Sequence, residues 1–155
     1  MQPWRTQVPS ELISVVIQGP LHRSLAPTRG IDACVASVRK HLPHAEIIVS
    51  TWADEDLSDI DADHIVTSAD PGVLLDFNGN RHNTNRQIVS TVAGIQASSR
   101  DYVLKLRSDH VLTGSRIAVM GAYDPSVPFG KRLLKQPITV STLFIRCLLY
   151  TSPSP

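Results

Sequence analysis

The sequence predicts an α/β fold built on a mostly parallel sheet, and three observations carry that prediction. Short, nearly continuous apolar runs rich in Val and Ile recur along the chain, as in strands buried on both faces. Segments of helical periodicity lie between them, and strands alternating with helices favour parallel pairing. Polar and turn-forming residues gather just past the end of each apolar run.

Residues 1–11 read as a polar lead-in containing Pro3 and Pro9. Residues 12–17, Leu-Ile-Ser-Val-Val-Ile, form the first strand, which stops at the turn signal Gln18-Gly19-Pro20. Ile31, Cys34, Val35, Val38 and Leu42 then recur at helical spacing. Arg39, Lys40 and His41 fill the last turn of that helix and Pro43 ends it. Glu46–Trp52 is the second strand, closed by the acidic loop Ala53-Asp54-Glu55-Asp56. Residues 64–67 make a short third strand that ends in Ser68-Ala69-Asp70-Pro71-Gly72.

The polar stretch 76–85 leads into a second helix, capped by Thr84 or Asn85, with Ile88, Val92 and Ile95 as its expected inner face. Residues 102–106 are the fourth strand and run directly into Arg107-Ser108-Asp109-His110. In the expected sheet, strands 12–17 and 102–106 are neighbours, with Gln18 and Asp109 on one edge. Residues 121–146 read as a partial continuation. Residues 147–155 read as a non-native tail, poorly suited to a sheet interior because of Pro153 and Pro155. The natural chain is expected to continue, so the fold is expected to be truncated.

A chain of 155 residues supports one domain with a real core. Its 42% hydrophobic and 19% charged residues are those of a globular protein, and a net charge of +1 gives no basic field for nucleic acid. Cys34 and Cys147 read as two unrelated thiols rather than a disulfide, which fits a reducing compartment. The N-terminus lacks the apolar core of a secretory signal, and no run approaches the roughly 18 apolar residues of a membrane helix. A cytoplasmic protein is expected, free or peripheral at the inner face of the cytoplasmic membrane.

In open parallel sheets, ligands bind beyond the carboxyl ends of the strands, where strand order reverses. This chain places Gln18 and Gly19, Asp54 and Glu55, Ser68 and Asp70, and Ser108 and Asp109 at those ends. A glycine there admits a phosphate or sugar close to the backbone. Acidic side chains accept hydrogen bonds from a base or ribose, and an Asp closing a central strand can hold a divalent cation on a diphosphate. Arg81, Asn83, Asn85 and Arg86 approach a helix N-terminus and can clasp the same diphosphate. Taken singly, Gly19-Pro20 is a plain turn, and Asp54 to Asp56 is a solvated loop. Arg107-Ser108-Asp109 after a buried strand is the sharpest signal. The histidines 22, 41, 44, 64 and 82 show no metal-ligand spacing. No dinucleotide glycine fingerprint, P-loop or nucleophile elbow is present.

Four pieces, in order, carry a family resemblance: Ile13-Ser-Val-Val-Ile-Gln-Gly-Pro20, Ile48-Val-Ser-Thr-Trp52, Asn83-Thr-Asn-Arg-Gln-Ile-Val-Ser-Thr91 and Tyr102-Val-Leu-Lys-Leu-Arg-Ser-Asp109. Over residues 12–120 the chain resembles the WavE family of lipopolysaccharide-synthesis proteins, glycosyltransferases of GT-A type. The resemblance implies a three-layer Rossmann-like sheet and a nucleotide-sugar donor. It also implies a glycan or lipid-linked glycan acceptor, in making lipopolysaccharide core or a capsule-like surface glycan. By position, Gln18 and Gly19 would line the donor pocket, Asp54 would sit near the base, and Arg86 would face the diphosphate. Ser108 and Asp109 would stand at the D-x-D metal motif, with Asp109 holding Mn2+ or Mg2+. Arg107 replaces the first Asp of that motif, so a second scheme has Arg107 neutralise the diphosphate without a metal. The resemblance assigns no catalytic base.

Two other functions fit the same layout. A sugar nucleotidyltransferase would need a glycine-rich basic loop after the first strand, which Gln18-Gly-Pro-Leu-His-Arg23 matches poorly. A non-catalytic nucleotide-binding scaffold within a glycan assembly would need only the binding residues.

Overall fold

Residues 13–18 and 46–52 are buried at every position, which explains why they read as nearly continuous apolar runs rather than alternating ones. They are the centre of the fold in the computed structural model, which describes residues 5–23, 29–121, 126–132 and 138. In chain order the elements are β1 (Arg5–Gln7), β2 (Ile13–Gln18), α1 (Ile31–His41), β3 (Glu46–Trp52) and β4 (His64–Ser68). They continue with β5 (Leu74–Leu75), β6 (Arg81–His82), α2 (Thr84–Gln96), β7 (Tyr102–Arg107) and β8 (Val119–Gly121). The chain divides into two compact units, residues 9–115 and a smaller one formed by the two chain ends.

The larger unit holds a four-stranded sheet in the order β4-β3-β2-β7. All three pairings are parallel. The expected adjacency of the first and fourth predicted strands is present, with Gln18 in register with Arg107. Strand order reverses at β2: the chain steps outward through β3 and β4, then returns to add β7 on the other side. The crevice that such a reversal opens lies past the carboxyl ends of β2 and β7.

Alternation along β2 and β3 divides their side chains between two faces. Val16 and Ser50 face α2: a Cβ added at Gly94 would lie 2.3 Å from Val16 Cγ1 and 3.2 Å from Ser50 Cβ. Gly94 is therefore a point of close helix–sheet approach, and Ser90, one turn earlier, is fully buried beside it. The residues that alternate with these, Val15 and Ile17 of β2 and Ile47 and Val49 of β3, are equally buried. The apolar stripe of α1 (Ile31, Cys34, Val35, Val38) is buried as its periodicity predicts.

The inner face of α2 differs from the sequence expectation. Ile88, Val92 and Ile95 are 50%, 46% and 44% exposed, and the buried positions are Ser90 and Gly94. Small residues face the sheet because the helix sits too close for large ones. The apolar stripe points outward.

At the opposite edge of the sheet, Glu46 is buried and fully engaged. It accepts hydrogen bonds from Ser14 Oγ at 2.5 Å, Ser99 N at 3.0 Å and Ser99 Oγ at 2.7 Å, with His64 Nε2 3.4 Å away. This ties the loop after α2 to the start of β2 and β3.

Between β4 and α2, where the sequence shows a polar stretch over residues 76–85, the chain forms a small hairpin, β5 paired antiparallel with β6. Asp76 organises its turn by accepting from the backbone of Asn78 and Asn80, each at 2.8 Å. In the smaller unit, part of the expected lead-in is a strand: β1 pairs antiparallel with β8, Thr6 opposite Met120. The expectations for residues 122–125, 133–137 and 139–155, including the tail 147–155, lie outside the described residues.

Candidate functional site

Three strand ends are stitched together at the switch point. Gly19 N donates to Ser50 O at 3.1 Å, and Ser108 N donates to Gln18 O at 3.3 Å. The chain leaves β2 through Gly19 at φ +109°, a backbone conformation closed to most side chains. The first turn of α2 stands over these ends. Between them lies a cleft of 310 Å³ lined by Gln18, Gly19, Pro20, Trp52, Asp70, Asn83, Arg86, Gln87, Arg107, Ser108 and Asp109.

Of the residues expected at the site, Gln18, Gly19, Asp70, Asn83, Arg86, Arg107, Ser108 and Asp109 line this cleft, whereas Asp54, Glu55, Ser68, Arg81 and Asn85 do not. Asp54 lies in the exposed turn after β3, outside the lining, although its charge is felt by Arg86. Trp52 and Gln87 were missed. Sequence reasoning places Trp52 at the end of a strand and Gln87 within a helix, both inside pieces that carry the family resemblance, and assigns neither to the site. The available signal was positional, since Trp52 ends a central strand and Gln87 follows Arg86 in the first turn of α2.

Gln18 is 6% exposed, and its side-chain amide pairs with Ser90 Oγ at 2.8 Å. Ser90 also bonds to Arg86 O at 2.7 Å, so one buried hydroxyl joins the end of β2 to the first turn of α2. Ser108 is buried, and its hydroxyl is spent on the carbonyl of Pro20.

The charged groups form two bidentate pairs. Arg107 Nε donates to Asp109 Oδ1 at 2.9 Å, and its Nη2 donates to Asp109 Oδ2 at 2.7 Å. Arg86 Nε donates to Asp70 Oδ1 at 2.7 Å, and Arg86 Nη2 bonds to Asp70 Oδ2. Hydrogen bonding from the guanidinium holds each carboxylate below the usual Asp range and raises each arginine in return. All four groups are charged at neutral pH, so the cleft carries two cations and two anions.

Arg23, the basic residue of the loop after β2, does not face this cleft. Its Nε donates to Asp56 O at 3.0 Å and its Nη2 donates to Ser58 O.

A family model for WavE lipopolysaccharide synthesis matches residues 13–153. This chain belongs to the WavE family. Neither the curated proteins nor the solved structures give a match. The WavE match spans the entire cleft, so every lining residue belongs to the family-matched region. The family description places this WavE-family chain in lipopolysaccharide synthesis. Among the described residues, no helix is long and apolar enough to cross a membrane.

Proposed function

We propose that this chain carries the donor site of a GT-A-type glycosyltransferase that takes a nucleotide sugar and acts in lipopolysaccharide or related surface-glycan synthesis. The observation that carries the proposal is the convergence of Gln18, Gly19, Asp70, Asn83, Arg86, Arg107, Ser108 and Asp109 on one cleft at the sheet's switch point. The WavE membership supports the pathway.

Each part of a nucleoside diphosphate sugar finds a chemical counterpart. The indole of Trp52 offers an apolar wall for a base, and Asn83 and Gln87 offer amides to its polar edge. The two arginines and the open N–H groups of the first turn of α2 suit the diphosphate. In glycosyl transfer an acceptor hydroxyl oxygen bonds to the anomeric carbon and gives up its proton. The bond from that carbon to the diphosphate oxygen breaks, and its electron pair leaves with the diphosphate. Cations fixed beside that oxygen lower the barrier, because they meet the charge as it develops. The acceptor is a glycan or lipid-linked glycan.

The position of Arg23 counts against the nucleotidyltransferase alternative, since it is committed to backbone carbonyls away from the cleft. The test is an assay of the natural protein with UDP-, GDP-, CMP- and dTDP-sugars and extracted lipid-linked glycan. Transfer from one donor class, lost in Arg86→Ala, supports the proposal. Synthesis of a nucleotide sugar from nucleoside triphosphate and sugar phosphate would replace it.

A further inference from the structure

The resemblance to GT-A enzymes implies a divalent cation at Asp109, and the donor set of this cleft does not fit one. Both oxygens of Asp109 are bonded by Arg107, and both oxygens of Asp70 are bonded by Arg86. A cation at Asp109 would have to displace a bidentate guanidinium, then sit beside the positive charge it had displaced. Among the described residues, no group of three His, Cys, Asp or Glu side chains comes together as a ligand set.

The arginines, by contrast, have capacity to spare. A guanidinium carries five N–H donors arranged along two edges. Arg107 spends its Nε and one Nη2 donor on Asp109, which leaves both Nη1 protons and the second Nη2 proton as a complete fork. Arg107 is half-exposed and lines the cleft, so that fork is open to a ligand. Arg86 repeats the arrangement with Asp70, its Nη1 also reaching Asn83 Oδ1 at 3.4 Å.

From this we infer that the cleft binds the diphosphate of its ligand without a metal, with Arg107 and Arg86 as the anion-binding groups. Asp109 and Asp70 are positioning residues: each holds one edge of a guanidinium so that the other edge is fixed toward the ligand. The inference rests on the nucleoside-diphosphate reading of the cleft and names how that site neutralises charge. It reassigns Asp109 from metal ligand to partner of Arg107.

The experiment is equilibrium binding of uridine and guanosine diphosphate to the protein, in chelator and again with added Mg2+ or Mn2+. Affinity in chelator within about twofold of that with cation is expected. Arg107→Ala should weaken binding roughly ten- to hundredfold under both conditions, the usual yield of a charge-assisted contact. Asp109→Asn should weaken binding less than Arg107→Ala and leave it independent of cation, because Arg107 stays but loses the carboxylate that fixes one of its edges. Binding that appears only with Mg2+ or Mn2+ and vanishes in Asp109→Asn would overturn the inference and leave the donor-site proposal standing. Absence of nucleotide binding in every condition would overturn both.

Discussion

Gln18 and Arg107, the last residues of β2 and β7, are register partners, and the amide following Arg107 bonds back to Gln18 O at 3.3 Å. Two motifs far apart in sequence thus become one rim. Gln18 turns to Ser90 under α2, while Arg107 turns to Asp109 at the cleft. The rim depends on the chain turning away immediately after Gln18, which is the work of Gly19.

Gly19→Ala should therefore destabilise the fold. At φ +109° a Cβ is strained whatever the space around it, and such positions cost about 1–3 kcal/mol. Denaturant unfolding should show a lower midpoint with an unchanged slope. Unchanged stability would mean that the turn relaxes without cost.

Gly94→Ala tests the close approach of α2. The added methyl would press on Val16, which is fully buried and stiff about χ1, so the helix must shift. Overpacking of this kind costs about 1–3 kcal/mol, against the small gain in helix propensity that alanine normally brings. A lower melting temperature is expected. A higher one would show that α2 stands further from the sheet.

Glu46 gives a pH signature. Burial alone would raise its pKa, but hydrogen bonds from Ser14 and Ser99 outweigh that effect and leave it below the ordinary value of 4.5. A group depressed in the folded state contributes stability above its unfolded pKa and loses it as pH falls through the folded value. Wild type should exceed Glu46→Gln in stability at pH 7, and the gap should narrow below about pH 4.5. Parallel stability curves from pH 7 to pH 3 would contradict this account of Glu46.

Cys34 should be inert. Burial, reinforced by the charge of Asp109, pushes its thiol up to about 12, so almost no thiolate exists at neutral pH. Peptide mapping after brief alkylation at pH 8 should leave Cys34 unmodified in the native protein and modified in denaturant. Rapid native labelling would show that α1 opens from the core.

The α/β class and the parallel strands were legible because β2 and β3 are buried on both faces, which leaves apolar runs with no alternation to misread. The candidate site was legible for a related reason. A parallel sheet sends its strand ends to one edge, so Gln18, Asp70 and Asp109 could be grouped without knowing their distances. The facing of α2 was not legible. Ile88, Val92 and Ile95 form a true amphipathic stripe, but periodicity reports that a stripe exists, not which surface meets it. Ser90 and Gly94 gave the contrary signal, which has meaning only once the helix–sheet distance is known. The hairpin β5–β6 and the pairing of β1 with β8 escaped because two- and three-residue strands carry too little pattern. The engagement of Asp109 by Arg107 was likewise invisible, since adjacency in sequence does not reveal which rotamer each side chain takes.

The most direct test of the account is to map where a nucleoside diphosphate binds, by following backbone amide and indole resonances during titration with uridine or guanosine diphosphate. The account predicts shifts concentrated at Gly19, the Trp52 indole, Arg86, Gln87 and Ser108, with little change at Glu46 and Ser99 on the opposite edge of the sheet. Shifts centred on that opposite edge, or saturation that leaves the cleft resonances unmoved, would contradict it.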